Sequence, residues 1–157
     1  MCGINAIINN NGIGIPLDTY QSIMANATRH RGTRGAFNEK ISLEKCVLGV
    51  NRLPITSGES ERQPASNEDG TIFVVLNGEI YNYKSLREGL LSRGHKFKTN
   101  SDTEVLAHMY EENGVNMVQY LDGMFAFVLY DSKTGDFMVA RDPIGIKPLY
   151  FASQNGA

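Results

Sequence analysis

Apolar residues in this chain fall into short runs separated by polar or Gly/Pro-rich segments, and their spacing sorts the runs into strands and helices. Residues 3–9 read as a short apolar strand, followed by a Gly/Asn/Pro turn region over 9–16. Asp18 is placed to cap a helix whose apolar face is Tyr20, Ile23, Met24 and Ala27, spaced i, i+3, i+4, i+7. After a polar stretch, residues 46–51 (Cys-Val-Leu-Gly-Val-Asn) and 71–76 are continuous apolar runs, the pattern of buried strands. Between them, residues 54–70 form a Pro/Ser/Glu/Gly-rich segment, and loops that long in a compact domain are usually functional or mobile. Tyr83, Leu86 and Leu90 mark a second helix that Gly94 terminates. A third runs from Ser101 to Gly114 with Val105, Leu106, Met109 and Tyr110 facing inward, and residues 115–121 add a turn or two. Residues 124–130 and 136–140 are paired strands joined through the hairpin signal at 131–135, and 149–152 is a last short strand. Strands cluster at both ends with helices between, which predicts two sheets with helices packed outside them, an α+β layered domain.

Composition narrows the function classes. At 157 residues the chain fits one domain with a full core, needing neither disulfides nor metal for stability. A net charge of −2 with no basic stripe argues against nucleic acid and against an anionic membrane surface. No basic-plus-apolar leader and no run of membrane-spanning length is visible, so the expected compartment is the cytoplasm. There Cys2 and Cys46 are expected as free thiols, the first reactive and the second an inert strand residue. The histidines His30, His95 and His108 stand far apart and neither cysteine has a spaced partner, so no metal site is expected.

Chemistry concentrates at Cys2. With Met1 removed, it carries a thiol nucleophile and a free α-amine whose ordinary pKa is about 7.7–8.0, an activated nucleophile and its base on one residue. Read locally, Cys2 also fits a small buried residue opening a strand. Asn77-Gly78-Glu79 follows the run 71–76. Asn77 offers a side-chain NH₂ and Gly78 a backbone N–H, two donors suited to an oxyanion hole, although Asn-Gly is equally a hairpin turn dipeptide. Ser101-Asp-Thr-Glu104 reads as a capping box with Asp102 favouring the helix dipole; a carboxylate there also suits a substrate ammonium. Arg52, opening the long loop, suits bidentate binding of a carboxylate, or is a surface arginine. The stiff turn Arg141-Asp-Pro-Ile-Gly-Ile-Lys-Pro148 reads as structural, with an Arg–Asp pair.

Seven motifs in order carry a resemblance: Cys2-Gly-Ile4, Arg29-His-Arg-Gly32, Asn51-Arg-Leu53, Asn77-Gly-Glu-Ile-Tyr-Asn82, Ser101-Asp-Thr-Glu-Val105, Asp122-Gly-Met-Phe-Ala-Phe127 and Arg141-Asp-Pro-Ile-Gly-Ile-Lys-Pro-Leu-Tyr150. Together they resemble the class II glutamine amidotransferase domain, in particular the amino-terminal half of glutamine-hydrolysing asparagine synthetases. The resemblance spans nearly all of residues 1–157. It implies the four-layer αββα sandwich of N-terminal nucleophile hydrolases and hydrolysis of L-glutamine through a Cys2 thioester. It further implies Asn77 and Gly78 as oxyanion hole, Arg52 on the glutamine α-carboxylate, and Glu79 and Asp102 on its α-ammonium. The backbone of Leu53, Pro54, Ile55 and Thr56 would line the same pocket.

The chain departs from the family at Thr33-Arg34, where Pro-Asp usually follows His-Arg-Gly, and at Pro54, which replaces a small or polar residue. It holds no Ser-Gly-Gly-x-Asp-Ser phosphate loop. ATP and Mg are therefore expected only in a separate synthetase domain, in cis or in trans, and no cofactor in this one. Residues 124–130 and the 141–150 turn are the expected docking face for that partner, and a homodimer is compatible with the reading. Two alternatives stay open: a non-catalytic module that binds glutamine or a partner, which retention of Met1 would favour, and delivery of the nitrogen to another acceptor such as a sugar.

Overall fold

The computed structural model describes residues 2–9, 16–32, 38–53 and 62–153. In chain order these form β1 (Gly3–Ile8), α1 (Leu17–Ala27), a 3₁₀ turn (Arg29–Arg31), β2 (Asn38–Ser42), β3 (Cys46–Asn51), β4 (Ala65–Ser66), β5 (Ile72–Ile80), α2 (Tyr83–Ser92), α3 (Asp102–Asn113), a 3₁₀ segment (Gly114–Tyr120), β6 (Gly123–Asp131) and β7 (Phe137–Arg141). Two antiparallel sheets result, one ordered β1-β3-β2 and the other β4-β5-β6-β7.

Strand alternation decides how the layers stack. Cys2, Ile4, Ala6 and Ile8 pack on one side of β1, with Cys46, Leu48 and Val50 of β3, against Phe73, Val75, Val128 and Tyr130 of the second sheet. The opposite face of that second sheet, Val74, Leu76, Ile80, Phe127 and Leu129, packs on Leu90 of α2 and on Val105, Leu106 and Met109 of α3. On the outer face of the first sheet lies α1, whose buried residues are Gln21 and Ala25. The order α1, sheet, sheet, α2/α3 is the expected four-layer αββα sandwich.

Several expectations are corrected. The helix 17–27 forms, but its stripe of Tyr20, Ile23 and Met24 is 51%, 60% and 38% exposed. A polar contact sets its packing face instead: the Gln21 amide donates to Asn5 Oδ1 at 2.9 Å over the bare backbone of Gly49. Asp18 does not cap α1; it binds Lys40 and Ser42 of β2. The strands β2 and β4 lie in stretches read as polar or looped, because ladder pairing rather than apolar alternation holds them. The strand from 71 runs on to Ile80, past Asn77-Gly78, so no hairpin turn occurs there. Residues 149–152 form no strand; Tyr150 and Phe151 are 92% and 88% exposed and have no face to bury. The hairpin through 131–135 forms, with Gly135 at φ 79° and its N–H bonded to Asp131 O at 2.9 Å.

A Cβ on Gly49 would stand 2.2 Å from Gln21 Nε2 and 2.7 Å from Asn5 Oδ1. Gly49→Ala is therefore expected to cost about 1–3 kcal/mol through overpacking. In chemical denaturation, combining it with Gln21→Ala should cost less than the two single changes summed, because the closer of the two clashes is then gone.

Candidate active site

Cys2 is held where the two sheets meet at their ends. Gly3 pairs with Asn51, so β1 begins opposite the last residue of β3. Gly3 also packs tightly beneath the end of α1: a Cβ there would lie 2.9 Å from Thr28 Cβ and 3.1 Å from Arg31 Cβ. The Asn51 amide ties the same corner together, donating to Ala25 O at 2.6 Å and Thr28 Oγ1 at 2.9 Å. Chain entry into β1 is thus fixed to the helix end, and with it the position of Cys2.

Across the gap, Asn77 continues the face of β5 that carries Phe73 and Val75, which points it at the first sheet. It is 5% exposed, and its Oδ1 accepts a hydrogen bond from the Cys2 nitrogen at 3.1 Å. That bond fixes the amide's orientation and leaves its NH₂ for another acceptor. The Cys2 sulfur meets the backbone of Leu53: Sγ donates to Leu53 O at 3.9 Å, and Leu53 N–H donates to Sγ at 3.5 Å. One residue can therefore satisfy the thiol and stabilise the thiolate. Cys46, by contrast, is fully buried in the core and its thiol is pushed up to about 12 by burial, so it is inert.

Gly78 lies beside Asn77 at φ 154°, and a Cβ would sit 2.1 Å from Met124 O. Only glycine fits this approach, and it lets the strand carry Asn77 and Glu79 without a break in pairing to β6. Arg52, read locally as a possible surface residue, is only 5% exposed directly after β3. Beyond it Leu53 is described; Pro54, Ile55 and Thr56 lie outside the described residues.

Asp102 opens α3 and accepts a hydrogen bond from Ile80 N at 3.0 Å, which clamps the end of β5 to the helix start. Burial, reinforced by the negative charge of Glu79, raises its pKa to about 6 against the hydrogen bonds that lower it. Two neighbouring carboxylates form a place for a cation. The expected capping box is half made: Ser101 Oγ accepts from Glu104 N at 3.2 Å, but the Glu104 carboxylate goes to the backbone of Lys98 and Thr99. Asp142 likewise takes the backbone amides of Phe125, Ile146 and Lys147, so the 141–148 turn is built on amides instead of an Arg–Asp pair.

Gln63 has no signal in the sequence, being one polar residue in a loop. Its carbonyl accepts from Leu76 N at 2.8 Å, its amide donates to Thr103 Oγ1 at 3.1 Å, and its backbone N–H donates to Glu39 at 2.6 Å. It therefore links β2, β5 and α3 one residue before Asn77.

The whole chain, residues 1–157, matches the family model described as a glutamine amidotransferase domain. The chain belongs to the glutamine amidotransferase family. The amidotransferase domain is 47% identical over 156 residues to asparagine synthetase [glutamine-hydrolyzing] 3 of Arabidopsis thaliana, covering 96% of this chain and 25% of that protein. It is 44% identical over 151 residues to a probable asparagine synthetase [glutamine-hydrolyzing] of Dictyostelium discoideum, covering 96% and 27%. The domain thus spans about a quarter of the length of these relatives. Among solved structures, the glutamine phosphoribosylpyrophosphate amidotransferase of B. subtilis, in complex with ADP and GMP, superposes with a TM-score of 0.52 at 30% identity, over 66% of this chain and 24% of that one.

The raised Asp102 pKa has a consequence for stability. Because the folded state favours the protonated form, ionised Asp102 weakens the fold above pH 6, and this cost vanishes as pH falls toward the unfolded value of 3.8. Asp102→Asn keeps an acceptor for Ile80 N–H. It should stabilise the domain at pH 7.5 by on the order of 1–3 kcal/mol, the gap closing between pH 6 and pH 4 in thermal denaturation.

Proposed function

We propose that this chain hydrolyses L-glutamine to glutamate and ammonia, with Cys2, freed of Met1, as the nucleophile. The observation that carries the reading is the joining of Cys2 nitrogen to Asn77 Oδ1 at 3.1 Å while its sulfur faces the Leu53 backbone. The sulfur attacks the side-chain carboxamide carbon and the α-amine takes the thiol proton. The negative oxygen that forms is received by the Asn77 NH₂ and Gly78 N–H. The C–N bond breaks, the amine returns the proton to the departing ammonia, and a γ-glutamyl thioester remains. Water, activated by the same amine, hydrolyses the thioester and restores the thiol.

Buried Arg52 is the partner assigned to the substrate α-carboxylate, and the Glu79/Asp102 pair to its α-ammonium. Leu53 and, beyond the described residues, Pro54, Ile55 and Thr56 line the same pocket.

The ammonia is destined for aspartate activated by an ATP- and Mg-dependent synthetase domain, in cis or in trans, as the names of the relatives suggest. Of the two expected docking segments, β6 is interior to its sheet and largely buried. The turn beyond β7 carries the apolar surface instead, with Ile144 83% and Ile146 52% exposed. The setting we assign is the cytoplasm, which suits two free thiols. No described helix is long and apolar enough to cross a membrane.

Cys2→Ala should abolish glutamate release from glutamine and prevent covalent capture of an electrophilic glutamine analogue. Asn77→Ala should lower kcat by about 10²–10³-fold. In free enzyme Asp102 ionises near pH 6, so KM for glutamine should rise as the pH is lowered through 6, ahead of kcat. Unreacted analogue on a chain whose intact mass retains Met1 would instead identify a glutamine-binding module.

A further inference from the structure

His95 and His108, 13 positions apart and expected not to meet, lie with ring centroids 5.0 Å apart. Glu68, from the turn after β4, and Glu111 of α3 complete a group with them whose donor atoms all fall within 4.8 Å of one another. His95 Nδ1 stands 3.4 Å from Glu68 Oε1 and 3.6 Å from Glu111 Oε2. His108 Nδ1 stands 2.9 Å from Glu68 Oε2 and 3.1 Å from Glu111 Oε2. Zinc binds imidazole nitrogen and carboxylate oxygen at about 2.0–2.2 Å, so adjacent ligands of a tetrahedral ion are about 3.3 Å apart. Through Glu68 Oε1 and Glu111 Oε2, three N–O edges of 3.4, 3.6 and 3.1 Å bracket that spacing.

The hydrogen bonds around the group point the same way. His95 Nε2 is 2.9 Å from Glu112 Oε1, so the proton sits on Nε2 and Nδ1 presents a bare lone pair to the group. That Nδ1 is buried and has no hydrogen-bond partner. A carboxylate behind a histidine is the usual arrangement around a metal ligand. Glu111 is held from behind too, its Oε1 accepting from the Asn67 amide at 2.8 Å. His108 is fully buried, with the Phe97 ring 4.3 Å from its own, while the Glu68 and Glu111 side chains are 29% and 24% exposed and leave a way in from solvent.

We propose that Glu68, His95, His108 and Glu111 form a closed four-ligand site for a divalent transition-metal ion, with zinc the fitting occupant. Four protein ligands leave no open position, so the site is structural. It fastens the second half of α3 to the turn after β4 and to the segment between α2 and α3. Asp102 lies at the other end of the same helix, six residues from His108.

The test uses zinc chloride titrated calorimetrically into metal-stripped protein carrying Cys2→Ala, which removes the thiol as a competing ligand. Uptake of one zinc per chain is expected, with a higher Tm. Cobalt in place of zinc should give the intense visible bands of a four-coordinate ion. Glu68→Gln with His95→Gln should abolish uptake. Glu112→Gln, which removes no ligand, should weaken it by about 10–100-fold. No stoichiometric uptake, uptake lost with Cys2→Ala alone, or uptake untouched by the paired ligand change would each overturn the site.

Discussion

The hydrogen bond from the Cys2 nitrogen to Asn77 Oδ1 joins the beginning of the described chain to the middle of β5, across 75 positions in sequence and from one sheet to the other. It exists only because the two sheets meet face to face with Cys2 and Asn77 on their inner sides. Each layer contributes to that register. Gly3 and Asn51 seat the first sheet under α1, and Gly78 lets β5 run close along β6 without turning. Gln63 and Asp102 tie the flanks of β5 to α3. A sandwich core alone would bury apolar area in many registers. These polar ties at the sheet ends select the one that places the Cys2 sulfur and nitrogen beside the Asn77 amide.

The site also shows where stability is given up. Asp102 is buried beside another carboxylate at a helix start, and its hydrogen bonds from Ile80 and Thr103 do not offset the burial that opposes its ionisation. Asp142, also buried, resolves the same problem in the opposite direction. Its desolvation is outweighed by backbone amides from Phe125, Ile146, Lys147 and Gly145, and its pKa is lowered. One carboxylate is fully satisfied and builds a turn, while the other is left wanting a positive partner. That contrast separates an acid whose charge the backbone satisfies from one whose charge it does not.

The apolar strands were legible because burial on both faces leaves an unbroken hydrophobic run, as in 46–51 and 71–76. The nearness of Cys2 to Asn77 and the positions of Arg52 and Asp102 at the strand and helix ends were legible because motifs in order place them. What escaped has common causes. The exposed stripe of α1 misled because one buried glutamine, seated over Gly49, overrode hydrophobic periodicity. Asn77-Gly78 looked like a turn because the same dipeptide that permits reversal also permits a close approach between strands. Gln63 was invisible because its three partners come from three distant elements.

His95 and His108 escaped for a different reason: 13 positions separate them in sequence, and the group they join is assembled from three segments. Only α3 contributes two of its members, at the i, i+3 spacing that sets His108 and Glu111 on one helix face. The turn that supplies Glu68 is closed by Asn67, whose side-chain carbonyl accepts from Thr71 N and Ile72 N and whose NH₂ reaches Glu111. Asn67 is 1% exposed. The residue that launches β5 is therefore the same one that orients a member of the histidine–glutamate group. The strand carrying Asn77 and the helix carrying Asp102 are thus braced against each other at both ends, by Asp102 at one and by Asn67 with Glu111 at the other.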